Sequence, residues 1–165
     1  MDTPNTPSQP LSDRIPAADS RLSTNLLLLF NRLTVGWYFA AAGFGKVSGE
    51  IANGLGSFYR GAGFQDRNPS WAPEFLIAPY GFALPWLEVV FGFFLLIGLF
   101  SRLSAGVLTF LSLTISLALL GSGDLFPFHH ATVFFSLTLF LFFMGPGRYG
   151  IDEMLVRRRA KVTKP

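Results

Sequence analysis

In "GFALPWLEVVFGFF" (residues 81–94) one carboxylate, Glu88, interrupts an apolar run with no other charge from Phe75 to Ser101. At the centre of a hydrocarbon layer a carboxylate costs about 3 kcal/mol or more. It therefore needs a protein neighbour, a proton or a cation. Arg32, ten residues past Leu22, lies about 15 Å along the first apolar segment by the helical rise, and Glu88 about 20 Å along its own. Antiparallel helices bring these depths together, so the pattern predicts an Arg32–Glu88 salt bridge near mid-membrane. Trp37, Tyr38 and Trp86 lie deeper than an interfacial aromatic belt requires, and are expected to pack around the pair, with a cation–π contact open to Arg32. Such a pair can be a staple that fixes helix register. It can also be a proton or substrate relay, or a polar anchor for a quinone headgroup. Burial of a pair does not by itself choose between these roles.

Two further polar groups carry candidate chemistry. Lys46, Asp124, His129 and His130 are expected to gather at the outer end. Adjacent histidines on a helix point about 100° apart, which argues against one metal held by both, and no metal site is expected. His130 reads as an interfacial cap with His129 facing the interior; the alternative is proton exchange or a hydrogen bond to a quinone carbonyl. At the inner end, Arg102, Arg148 and Asp152 read as structural, with Arg148 and Asp152 pairing to close that end. No phosphate-binding glycine loop, paired-carboxylate site or nucleophile–His–acid motif is evident, so no catalytic residue is assigned.

The elements that must hold these groups are membrane spans. Half of the 165 residues are hydrophobic and 14% are charged, against about 25% charged in soluble domains. Nineteen phenylalanines exceed what a small soluble core can hold. The absence of cysteine removes disulfides and thiol chemistry from this chain. Four apolar segments run Leu22–Gly45, Phe75–Ser101, Leu103–Leu120 and Pro127–Met144. Stretches such as "VFFSLTLFLFFM" (133–144) are apolar all round, whereas a soluble helix keeps a polar face. The second segment is longer than the bilayer needs, and Pro85 gives it a place to kink.

Each segment carries one small or polar stripe: Asn25, Arg32, Phe39 and Lys46 with Gly36 and Gly43; Gly81, Pro85, Glu88 and Gly92; Ala105, Thr109, Ser112 and Ser116; His129, Thr132 and Ser136. These stripes are expected to face a common interior, where glycines let helices approach closely. The fold class expected is all-α: an integral-membrane antiparallel four-helix bundle over residues 22–155. Residues 1–21, with four prolines and no basic–apolar leader, read as a disordered cytosolic arm, and residues 156–165 as a basic cytosolic tail suited to anionic lipid. Placing both termini in the cytoplasm puts nine Lys and Arg inside and three outside. The long loop 46–74 is expected to fold over the outer mouth. Lipid is the partner this pattern requires, and nucleic acid is excluded by so apolar a chain.

Three stretches resemble the DoxX family of small four-helix membrane proteins. "RLTVGWYFAAAGFGKV" (32–47), with Arg32, Gly36, Gly43 and Lys46, looks like its first helix. "LPWLEVVFGFFLLIGLFSRL" (84–103), with Glu88, Gly92, Gly98 and Arg102, looks like its second. "GPGRYGIDEML" (145–155), with Gly147, Arg148, Tyr149 and Asp152, looks like its closing signature. The resemblance implies a multi-pass protein of the inner (cytoplasmic) membrane. Some family members are subunits of a thiosulfate:quinone oxidoreductase, and others are linked to membrane oxidoreductase assemblies. The expected function is a membrane subunit of such an assembly, with no intrinsic cofactor and quinone as the candidate ligand of the Arg32–Glu88 region. Other protein subunits or further copies of the chain are the expected partners. A non-catalytic anchor or assembly factor, and a small-molecule or proton carrier, are the alternatives.

Overall fold

A computed structural model describes residues 17–68, 72–121, 130–145, 147, 149–152 and 154–155. Among these all regular structure is helical: α1 (Ala17–Asn53), α2 (Ser57–Arg60), α3 (Ala62–Gln65), α4 (Glu74–Ile97), α5 (Ser101–Gly121) and α6 (His130–Met144). Three helices are long and apolar enough to cross a membrane, within Arg21–Asn53, Glu74–Ile97 and Ser101–Leu120, and the 15-residue α6 is a shorter apolar helix. The first helix departs most from its apolar segment. It starts inside the stretch read as an arm and continues well past Gly45, because Lys46 and Glu50 turn toward protein. Hydropathy registers their charge but not their partners. Helix α4 is unbroken through Pro79 and Pro85. Residues 1–16, the tail 156–165 and Pro127 lie outside the described residues.

Packing is closest between α1 and α4, and glycines explain why. A Cβ added at Gly36 would lie 2.8 Å from the Leu96 nitrogen, one at Gly92 2.5 Å from the Ala40 nitrogen, and one at Gly43 2.6 Å from the Val89 nitrogen. Position numbers rise along α1 as they fall along α4, so the helices are antiparallel with backbones in contact at three levels. Close approach of this kind replaces the hydrophobic driving force that lipid does not supply. The expected stripes of α1 and α4 lie on this seam, with Arg32, Gly36, Phe39, Gly43, Gly81, Pro85, Glu88 and Gly92 buried. Helix α5 lies antiparallel to α4, with the Tyr80 hydroxyl 2.6 Å from that of Thr114. Helix α6 lies antiparallel to α5, with Phe142 against Gly106 and the Arg102 guanidinium against Gly145. Tyr38 of α1 stacks on Phe134 of α6 at 3.9 Å between ring centroids.

The stripe expected on the fourth segment is corrected. Thr132 and Ser136 are exposed, and the buried side of α6 is Ala131, Thr138 and Leu141. Hydroxyls gave a misleading signal because they bond back to their own helix: Ser136 donates to the Thr132 carbonyl and Thr138 to that of Phe134. A self-satisfied hydroxyl has no need of the interior.

At the end where α1 begins, Gly98 (φ 74°) closes α4. The Gly98 and Leu99 amides donate to the Leu95 and Phe94 carbonyls, which is the Schellman arrangement. Asp152 then caps α5 from a distance, its two oxygens accepting the Phe100 and Ser101 N–H groups at 2.9 and 2.8 Å. A carboxylate on orphan amides at a helix N-terminus is favourable both as a hydrogen bond and against the helix dipole. Arg148 lies outside the described residues, and the Asp152 carboxylate serves α5. Replacing Gly43 by Val forces α1 and α4 apart, with an expected loss of about 1–3 kcal/mol. Unfolding in mixed micelles reads this loss, and Gly45→Val, where a Cβ meets nothing within 4 Å, supplies the neutral control.

Candidate functional site

The glycine ladder decides which cation meets Glu88. At the level of Gly43 the α1 backbone touches the Glu88 side chain, a Gly43 Cβ falling 2.8 Å from that of Glu88. Lys46 lies one turn further along the same face, and helical side chains lean toward the N-terminus of their helix. Its ammonium therefore reaches back to the carboxylate, with Nζ 2.7 Å from Oε1 and 2.6 Å from Oε2. The Glu88 side chain is 2% exposed and that of Lys46 26%.

The Arg32–Glu88 bridge is thus corrected to Lys46–Glu88. Arg32 sits eleven residues before the Gly43 level, about 16 Å by the helical rise. Its guanidinium donates instead to the Tyr149 carbonyl at 3.0 Å and packs against Gly98. Asp152 lies within its electrostatic reach. Arg32 belongs to the node at the end where α1 begins. Trp37 and Trp86, expected beside the pair, are 69% and 44% exposed and turn outward. Their neighbours in sequence take the inner positions: Tyr38 on α1, and Pro85 with Glu88 on α4.

Of the outer-end group, Lys46 leaves for Glu88, and Asp124 and His129 lie outside the described residues. The ring of His130, on the exposed start of α6, lies 6.0 Å from that of Tyr38. Arg102 packs on Gly145 at the other end.

Four residues complete the surroundings of the pair. The Phe58 ring lies over Lys46, its centroid 5.2 Å from Nζ, in cation–π range. The phenols of Tyr38 and Tyr80 are both within Coulombic reach of Glu88. Glu50, one turn beyond Lys46, is buried and binds backbone amides of the loop. A signal for Glu50 was present in the spacing: Gly36, Gly43 and Glu50 recur every seven residues and continue the α4-facing line. Phe58 had none, because the loop's conformation decides where it points.

The arrangement is that of a multi-pass α-helical membrane protein organised around one covered ion pair. The DoxX family model matches residues 27–121, over half of the chain, and the protein belongs to the DoxX family. A second model, described as TQO small subunit DoxD, matches residues 80–164. The stretch common to both, 80–121, contains Glu88 and all of α5. No curated protein and no solved structure matches the chain.

Removing one partner strands the other charge. Lys46→Met is expected to destabilise the fold by about 3–5 kcal/mol, and Lys46→Met with Glu88→Met to recover most of that loss. Arg32→Met combined with Glu88→Met is expected to be additive within about 0.5 kcal/mol, since the two sites share no partner. Unfolding in mixed micelles of the three single and two double variants measures both couplings.

Proposed function

We propose that the protein is the membrane subunit of an oxidoreductase assembly related to thiosulfate:quinone oxidoreductase, and that Lys46 and Glu88 form the polar end of its quinone site. One observation carries this reading: a buried carboxylate holds an ammonium that keeps part of its surface open beneath an aromatic ring. The family matches give it context, since one of the two models describes a TQO small subunit.

The donor set suits such a ligand. A quinone offers neutral carbonyl acceptors on a flat ring, and when bound supplies a sink for two electrons and two protons. Lys46 presents N–H donors whose charge Glu88 balances, so a neutral headgroup meets no net charge. Phe58 provides an apolar wall. The chain has no cysteine, so in this reading the sulfur substrate gives up its electrons on a partner subunit.

The same reading sets the topology. α1, α4, α5 and α6 make an antiparallel four-helix bundle in the inner membrane with both termini cytoplasmic, supported by nine Lys and Arg on that side against three on the other. α6 is about 22 Å long by its rise. A second reading, a non-catalytic anchor, is favoured by the way Lys46 engages both Glu88 oxygens. A staple would do the same.

Lys46→Arg separates the two. It keeps a cation for Glu88 but changes a compact donor into a rigid fork. Quinone-dependent activity of the purified assembly is expected to fall with a raised KM for quinone while thermal stability holds; unchanged kinetics would leave the anchor. Topology is checked by single cysteines introduced into this cysteine-free chain. A membrane-impermeant maleimide added to intact cells lacking an outer membrane is expected to label position 65 and not position 162.

A further inference from the structure

The loop-end cover of the ion pair is built on a second buried carboxylate. Glu50 is 3% exposed. Its Oε1 accepts the N–H of Phe58 at 2.7 Å, and its Oε2 accepts that of Gly56. These are the leading amides of α2, which have no partner within so short a helix. Gly56, with φ 81°, turns the chain into α2, and the Ser57 hydroxyl donates to the Gly49 carbonyl at 3.2 Å. Four residues do not hold a helical turn in water unaided, so the carboxylate is what fixes this one.

The consequence falls on Phe58. Its amide is tied to Glu50 while its ring comes back over Lys46. The remainder of the loop seals the neighbouring ground: Tyr59 stacks on Phe82 at 5.2 Å, and both Tyr59 and Phe64 occupy the space beside Gly81, where a Cβ would lie 2.7 Å from Tyr59. Phe58 meets Phe64 edge-on at 5.3 Å. Three aromatic rings of one loop thus lie across the loop end of the α1–α4 seam.

We propose that Glu50 is a positioning residue. Acting through Phe58, it fixes residues 54–68 as a lid on the Lys46–Glu88 pair and so sets how far water and polar solutes reach the ammonium. The lid shares its site with the oxidoreductase reading, but its test does not depend on quinone.

Lys46 is the sole lysine outside the tail, where Lys161 and Lys164 serve as internal references. The full-length protein in detergent is acylated with a water-soluble N-hydroxysuccinimide ester, and each lysine is followed by peptide mass spectrometry. Glutamine can accept one of the two N–H groups but turns its own NH2 toward the other. Glu50→Gln is therefore expected to raise Lys46 acylation, relative to the tail, by about tenfold through local opening. Phe58→Ala should match it, the double variant should go no further, and Phe58→Trp should retain native protection. Hydrogen exchange of Glu50→Gln should show loss of protection at Gly56 and Phe58 with α4 unchanged. A native acylation ratio in Glu50→Gln, multiplying effects of the two single changes, or α4 amides that open together with the loop would each overturn the lid. Raised acylation alongside quinone-independent behaviour would leave the lid standing and remove the oxidoreductase reading instead.

Discussion

A lysine and a glutamate held together inside an apolar seam constrain everything around them. Charge attraction strengthens as the surrounding dielectric falls, but so does the cost of stripping each ion of water. The pair is favourable only where the two groups are brought together without slack. Here the slack is removed by glycines. With hydrogens at Gly36, Gly43 and Gly92 in place of side chains, the backbones of α1 and α4 touch, and Lys46 needs only its own length to reach Glu88. The ladder and the ion pair are one device: the first sets the distance that the second requires.

A second polar node lies at the opposite end of the same seam and works differently. Arg32 and Asp152 reach backbone groups: the guanidinium donates to the Tyr149 carbonyl and the carboxylate accepts from the Phe100 and Ser101 amides. Asp152 also donates its own amide to the Gly98 carbonyl. Every group in this node stitches one chain segment to another. The Lys46–Glu88 pair is made of side chains only, and one of them keeps an open side. That contrast sets the loop end of the seam apart as the candidate functional site.

Glu88 was legible as the outlier of its segment, as were the small-residue faces of α1 and α4, because each follows from a count along one helix. Its partner was not, because partner choice depends on the register between two helices. Measuring depth from Leu22 and from the ends of the second apolar segment placed Arg32 and Glu88 level. The true register is set by which glycine meets which backbone, and Gly43, not Arg32, stands opposite Glu88. Lys46 was read as the polar boundary of the first helix because a charge usually marks an interface. Yet α1 runs on to Asn53, and the lysine bends back into the seam. The tryptophans were misplaced for a related reason: depth along a helix says nothing about azimuth, and both Trp37 and Trp86 occupy the outward side of theirs.

The two nodes also differ in how much chain they need. Glu88 finds its cation 42 residues away, within the antiparallel pair formed by α1 and α4. Arg32 finds the Tyr149 carbonyl 117 residues away, and the amides that Asp152 caps lie about 50 residues before it. A helical hairpin alone can therefore neutralise the buried carboxylate, whereas the buried guanidinium meets the Tyr149 carbonyl only when the closing segment has arrived. Glu50 belongs with the first group, its amide partners lying six and eight residues downstream. The covered ion pair is in this sense a local structure, complete within residues 36–92. α5, α6 and the closing segment flank it and lock its far end.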